Sequence, residues 1–270
     1  MHGMSVFAKE IMEKRYSWDI GGSKETWTEI ARRVVMNVMG AVDAPPELVK
    51  EIEDLVISRK FMPGGRYLAM AGRDFHQVNN CLLLRAEDVR EGWADLLYKT
   101  TMALMTGAGV GVDYSALRGK GAPLKRTGGV SSGPLALMQM INESARGAMQ
   151  GGSRRAALWA GLRWDHPDIF EFIQLKNWTP EVRALKEKDF NFPAAMDFTN
   201  ISVLFDDAFF DAFQNKLDHK HDHAVNVYWQ TIIRMLKTGE PGFSIDTNEN
   251  SRETLRNACT ELVSEDDSDI

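Results

Sequence analysis

The segment that most restricts the fold of this chain is the apolar run Ala156 to Leu162, set between Gly151-Gly152-Ser153-Arg154-Arg155 and His166-Pro167-Asp168. A strand without polar alternation suits burial on both faces, as in a parallel sheet covered by helices. The flanking pattern agrees. Further strands are predicted at Asn200 to Phe205 and Phe243 to Ile245, and Gly107 to Val112 reads as a glycine-rich turn feeding another. Helices are predicted between them, over Trp93 to Thr106, Pro134 to about Gly147, Ile169 to Trp178, Asp206 to Leu217 and Val225 to Lys237. Proline is favoured at a first helical position, where Pro134 stands. Helices alternating with short buried strands indicate an α/β fold.

Residues 1–60 lack this alternation and read as a helical N-terminal region. Thr26 and Glu29 have the spacing of a capping box. Trp27, Ile30, Val34, Val35 and Val38 then recur at helical spacing. Pro45-Pro46 interrupts the pattern, and Leu48, Ile52, Leu55 and Val56 resume it. The expected organisation is a helical region over residues 1–60 and an α/β region over 61–270.

Composition excludes several function classes. Hydrophobic residues make up 44% and charged residues 26% of the 270, which is ordinary for a soluble globular protein. A net charge of −6 argues against a bulk nucleic-acid binder. No apolar run approaches the roughly 18 residues of a membrane span, and the first residues carry no apolar signal core, so a cytoplasmic protein is expected. The two cysteines, Cys81 and Cys259, lie far apart without zinc-ligand spacing. In a reducing compartment they are either buried fillers or reactive thiols.

Four constellations carry candidate chemistry. Gly107-Ala108-Gly109-Val110-Gly111 lacks the third glycine of a dinucleotide fingerprint and follows a helix, so close packing is favoured over phosphate binding. Two glycine-rich basic loops, Leu117 to Gly129 and Gln150 to Arg155, are either phosphate-recognition loops or solvated charge. His219, His221 and His223 are interrupted by Lys220 and Asp222, and a solvated loop between two helices is favoured over a metal site. In an extended Asn257-Ala258-Cys259-Thr260-Glu261, alternate residues share a face, so an amide, a thiol and a carboxylate would meet one substrate. A buried structural cysteine is the competing reading.

Taken in order, these segments resemble the catalytic (large) subunit of ribonucleotide reductases. Asn257-x-Cys259-x-Glu261 is similar to that family's finger-loop motif. Pro63-Gly64-Gly65-Arg66-Tyr67 through Asn80-Cys81 is similar to the segment leading to its first redox cysteine. Gly107 to Gly111 is similar to its glycine-rich turn, and Gln150 to Arg155 to the loop linking effector and substrate sites. The likeness is greatest to the adenosylcobalamin-dependent class, notably at Gly151 to Ala157 and Asp165-His166-Pro167-Asp168. It runs from about residue 60 to residue 262.

The resemblance implies a helical N-terminal region followed by about half of a ten-stranded α/β barrel, ending on the finger loop. It implies ribonucleotide reduction for DNA synthesis. In that chemistry Cys259 forms the thiyl radical, Glu261 takes the 3′-hydroxyl proton, Asn257 orients the substrate and Cys81 supplies reducing electrons. It places substrate at Tyr67, Asn80 and Gly111. It places a dNTP or ATP specificity effector at Asp88, Arg118 and Lys125, with Gln150 and Arg154 in the linking loop. Adenosylcobalamin is the implied cofactor, contacted mainly outside this chain; a separate metal-containing radical subunit is the alternative. A thioredoxin-like reductant and a homodimer or larger assembly are implied, with no resident metal, nucleic-acid partner or membrane association.

The family's second redox cysteine, the later half of its barrel and its C-terminal cysteine tail have no counterpart here. A C-terminal reductase chain is therefore expected as partner, through a split gene, trans-splicing or truncation, and activity is not expected from this chain alone. Activity control by an N-terminal ATP cone is not expected either. A dNTP-binding regulatory fragment without turnover is the alternative. A nicotinamide-dependent oxidoreductase on the Gly107 turn is disfavoured, because no suitably placed acidic residue follows.

Overall fold

The computed structural model describes residues 4–74, 78–148 and 157–247, and the backbone of residues 253–256 and 263–265. Contacts divide the chain into two compact units, Met1–Asn80 and Cys81–Ile270. The first contains α1 (Val6–Arg15), a short hairpin of β1 (Asp19–Ile20) and β2 (Ser23–Lys24), α2 (Trp27–Ala41), α3 (Pro46–Ile57) and α4 (Gly65–Met70). Thr26 caps α2 in the predicted box: its backbone N–H and hydroxyl both donate to Glu29 at 2.7 Å. Pro46 opens α3 at its first turn. The apolar stripe of α2 is buried in two clusters, Ile30 and Val34 with Met12, Leu68 and Ala71, and Ala31 and Val35 with Val56.

The second unit alternates strand and helix: β3 (Cys81–Arg85), α5 (Arg90–Met105), β4 (Gly109–Asp113), α6 (Pro134–Gly147), β5 (Leu158–Arg163), α7 (Ile169–Gln174), α8 (Pro180–Lys188), β6 (Thr199–Asp206), α9 (Asp207–Gln214), α10 (His221–Thr238) and β7 (Gly242–Asp246). Strands β3 to β7 form one parallel sheet in sequential order. An antiparallel pair, β8 (Glu253–Arg256) and β9 (Val263–Glu265), follows. The described strands make an open parallel array and no closed barrel.

The predicted helix Ile169 to Trp178 ends at Gln174, and α8, which buries no residue, follows unpredicted. The histidine run is not a loop throughout. His221 and His223 open α10, where the His221 ring lies 3.0 Å from the Ala212 carbonyl and the His223 ring 3.0 Å from that of Trp164. No cluster able to hold a metal occurs among the described residues, and no described helix is long and apolar enough to cross a membrane.

Two polar knots tie irregular segments to this frame. In the first unit, the buried Glu25 carboxylate accepts both edges of the Arg33 guanidinium at 2.8 and 2.9 Å and the Trp18 N–H at 2.9 Å. Arg33 also donates to the Ala71 and Leu68 carbonyls at 2.8 and 3.0 Å and lies over the Trp18 ring. The hairpin, α2 and the end of α4 thus share one charge pair. In the second unit, Asp197 has no exposed side-chain surface. It accepts from Arg146 at 2.7 and 2.8 Å, Lys186 at 2.7 Å and Asn142 at 3.0 Å. This joins the end of α6 to α8 and the entry to β6.

Burial opposes the charge on Asp197, but Arg146, Asn142 and Lys186 outweigh it and hold the carboxyl below its ordinary 3.8. A depressed folded-state value adds stability that is complete above the unfolded value and fades as pH falls through the folded one. Thermal unfolding should therefore lose stability as pH drops below about 3.8, and Asp197→Asn should flatten that acid slope while lowering stability at neutral pH. An unchanged slope would remove the knot as its origin. In the first unit, Arg33→Ala leaves Glu25 buried without its partner and should cost about 3–5 kcal/mol in denaturant unfolding; a loss below about 1 kcal/mol would be the value of an exposed pair.

Candidate functional site: a polar sheet face and a basic cavity

Residues paired across a ladder point to the same side of the sheet. The register therefore sorts the side chains into two faces. One holds Leu82, Leu84, Val110, Val112, Leu158, Ala160, Leu162, Ile201, Val203, Phe205 and Phe243, all packed in the main core. The other holds Cys81 opposite Gly109; Leu83, Gly111, Trp159 and Asn200 in one row; and Asp113, Gly161, Ser202 and Gly242 in the next. Apart from Leu83 and Trp159, the residues named on this second face are small or polar. The Trp159 indole donates to Ser202 Oγ at 3.0 Å and lies across Gly161, where a Cβ would come within 2.5 Å of the ring.

Cys81 is a free, half-buried thiol at the start of β3. Gly109 and Gly111 are buried within β4, between β3 and β5, which is the packing role; Gly107, with φ +86°, makes the turn before it. The backbone of β8 lies beside β4 and β3. Its pairing with β9 brackets residues 257–262. Asn257, Cys259 and Glu261 lie outside the described residues, as do Gln150 and Arg154. Tyr67, on α4, is half-buried against the Met12–Ala71 cluster, and Asn80 is exposed at the end of the first unit.

Three predicted residues, Asp88, Arg118 and Lys125, line one cavity of about 850 Å³. Arg118 Nε donates to Asp88 Oδ2 at 2.7 Å. Arg90, Glu91 and Arg126 join them, so four cations face two carboxylates, and Val89, Trp93, Leu124 and Val130 add an apolar wall. The N-terminus of α5 lies among these residues, and Val89 at its N-cap has no polar side-chain group to cap it. Free N–H groups and the positive end of the helix dipole favour an anion there. Cationic, hydrogen-bonding and apolar groups around one space suit a phosphorylated, ring-bearing ligand.

The basic segment 117–133 is a hairpin rather than a loose loop. Gly121 N donates to Ser131 O and Ser131 N to Ala122 O, both at 2.8 Å, and Leu124 N donates to Gly129 O at 3.0 Å. Pro123 and Val130 form a β-bridge. Gly128 and Gly129, with φ of +71° and +81°, turn the tip beside Lys125 and Arg126. Sequence reasoning missed Trp93, Trp159 and Ser202. Arg126 lies in the basic Leu117 to Gly129 loop that the sequence singled out; those three carry no motif, and only the register and the cavity bring them in.

Two adjacent family models match the chain. "Ribonucleotide reductase, all-alpha domain" covers residues 3–76 and "Ribonucleotide reductase, barrel domain" covers 79–226. A vitamin B12-dependent ribonucleoside-diphosphate reductase of Thermoplasma acidophilum is 30% identical over 220 residues, covering 77% of this chain and 27% of the relative. One of Mycobacterium tuberculosis is 26% identical, covering 80% of this chain and 30% of the relative. The ribonucleoside-diphosphate reductase large subunit of Vaccinia virus is 24% identical, covering 79% of this chain and 32% of the relative. The chain thus spans about a third or less of the length of these relatives. The helical unit, the sequential parallel sheet and both family matches agree: this chain belongs to the ribonucleotide reductase large-subunit family.

Proposed function

We propose that this chain forms part of a catalytic subunit that reduces ribonucleotides to 2′-deoxyribonucleotides by thiyl-radical chemistry, with a deoxynucleoside triphosphate as effector in the Asp88–Arg118 cavity. The ordered match of the all-alpha and barrel domains over residues 3–76 and 79–226 carries the reading. The sheet that holds Cys81, with the backbone of β8 beside its strands β3 and β4, supports it.

In this reading a sulfur radical on Cys259 removes the 3′ hydrogen of the ribose. S–H and activated C–H bonds are close in strength, so the step is reversible. Glu261 accepts the 3′-hydroxyl proton as general base, and Asn257 holds the hydroxyls in place. The 2′-hydroxyl leaves as water. Cys81 and a second thiol from outside this chain give up two electrons and close a disulfide, and the 3′ hydrogen returns from Cys259. A thioredoxin-like dithiol reopens the disulfide by exchange. Gly111 contacts substrate, and Gln150 and Arg154 carry the effector's influence to it.

Adenosylcobalamin would supply the initiating radical when bound. The described residues around the cavity offer donors for phosphate and ribose rather than a face for a corrin ring. The assembly is a homodimer or larger. Diphosphate substrates are favoured, because the matched relatives are ribonucleoside-diphosphate reductases.

The test is reduction of CDP by the complete catalytic assembly with dithiothreitol, supplied either with adenosylcobalamin or with a metal-containing radical subunit. Cys259→Ala should abolish product under both conditions. Arg118→Ala should leave basal reduction in place and weaken its response to dNTP. A complete assembly that binds dNTP but reduces nothing with either radical source would instead make this chain a regulatory nucleotide-binding fragment.

A further inference from the structure

The Asp165-His166-Pro167-Asp168 motif marked a family likeness in the sequence, but the proposed chemistry gives it no task. The structure assigns one: we propose that His166, Pro167 and Asp168 are positioning residues that hold the base of the 117–133 hairpin and thereby set the shape of the cavity. The proposal rests on the reading of that cavity as a nucleotide site and names what keeps it in shape.

Both strands of the hairpin's base meet this turn. The buried His166 ring places Nε2 2.8 Å from the Leu117 carbonyl. Its Nδ1 accepts the Asp168 N–H at 3.0 Å, which leaves Nε2 as the N–H that donates to Leu117. The ring thus spans from its own turn to the start of the hairpin. Asp168 occupies the N-cap position of α7, where a carboxylate ordinarily accepts from its own helix. Here it makes no such bond. Its two oxygens instead accept the Lys120 N–H at 2.9 and 3.2 Å.

The outgoing strand packs against the same carboxylate. A Cβ on Gly133, where φ is +78°, would sit 2.6 Å from Asp168 Oδ2. On the incoming side a Cβ on Gly119 would sit 2.9 Å from Pro167 Cβ. Two glycines therefore let the hairpin's base close on the turn. Arg118 lies between Leu117, held by His166, and Lys120, held by Asp168. Releasing the turn would free the segment that presents Arg118 and Lys125 to the cavity. Only molecules with the hairpin in place would then bind ligand well, and apparent affinity would fall by that fraction.

The experiment measures thymidine triphosphate binding by calorimetry and amide hydrogen exchange, with the full chain. Asp168→Ala should weaken binding by about tenfold or more. It should also speed exchange at Lys120, Gly121 and Ser131, while Val110 in the sheet stays protected. Asp168→Asn keeps an acceptor for Lys120 N–H and should recover most of both. If Asp168→Ala fails to fold, Gly119→Ala, which pushes the hairpin off Pro167, should give the same pair of changes. Wild-type binding and exchange in Asp168→Ala would overturn the proposal, as would weaker binding without faster hairpin exchange. If the wild-type chain binds no thymidine triphosphate, the nucleotide reading of the cavity falls. The positioning role is then decided by the exchange result alone.

Discussion

The register of the parallel ladder is the constraint on which the second unit depends. A slip of one residue would exchange the two faces of a strand. Here that would bring Cys81, Gly109, Gly111 and Ser202 against the helices and expose Val110, Val112, Ile201 and Val203. The apolar face is thus what aligns the small and polar groups opposite it. The same alignment brings the segments after β3, β4 and β5 to one end of the sheet, where parallel α/β folds gather their ligand loops. Asp88 follows β3, the hairpin follows β4, and His166 to Asp168 follow β5. The cavity and the turn that supports it are consequences of strand order.

Buried charge serves geometry more than stability in this chain. Taking a pair out of water offsets most of its attraction, so such pairs are weak stabilisers but costly to break. Each one joins an element that propensity alone would not place. Glu25 and Arg33 join the short hairpin to α2 and α4. Asp197 joins α6 to α8, which buries nothing of its own. Lys176 and Glu240 form a third pair at 2.7 Å, and Glu240 also accepts the Ile201 N–H at 2.8 Å. Burial pushes the Lys176 ammonium down, partly offset by Glu240. The knot at Asp197 also takes in Arg146, in the last turn of α6.

What was legible in the sequence was what is local. The Thr26–Glu29 box, Pro134 at the head of α6 and the apolar run of β5 are all set by neighbours a few residues away, and all were predicted. The α4 helix was not, because Gly64 and Gly65 read as punctuation although they open a helix that buries Leu68. Nor was α8, whose tie to the fold is the long-range contact of Lys186 with Asp197. The Asp88, Arg118 and Lys125 grouping came from the family resemblance; composition alone left the Leu117 to Gly129 loop open between phosphate binding and solvated charge. The bond from Lys120 to Asp168 joins residues 48 apart, and no local pattern announces it.

The glycines of the 117–133 segment show why a correct composition can suggest the wrong mechanics. Glycine in a basic loop reads as flexibility, yet it serves two different needs here. At the tip, Gly128 and Gly129 adopt positive φ with open space around them, so their role is the backbone turn itself. At the base, Gly119 and Gly133 are hemmed in by Pro167 and Asp168, and the missing side chain is room for a partner. A side chain at the tip would strain φ and leave the rest of the hairpin in place. One at the base would push the hairpin away from the turn that holds it. The segment is thus free in conformation at one end and sterically closed at the other, which lets a glycine-rich sequence present Arg118 and Lys125 in a defined position.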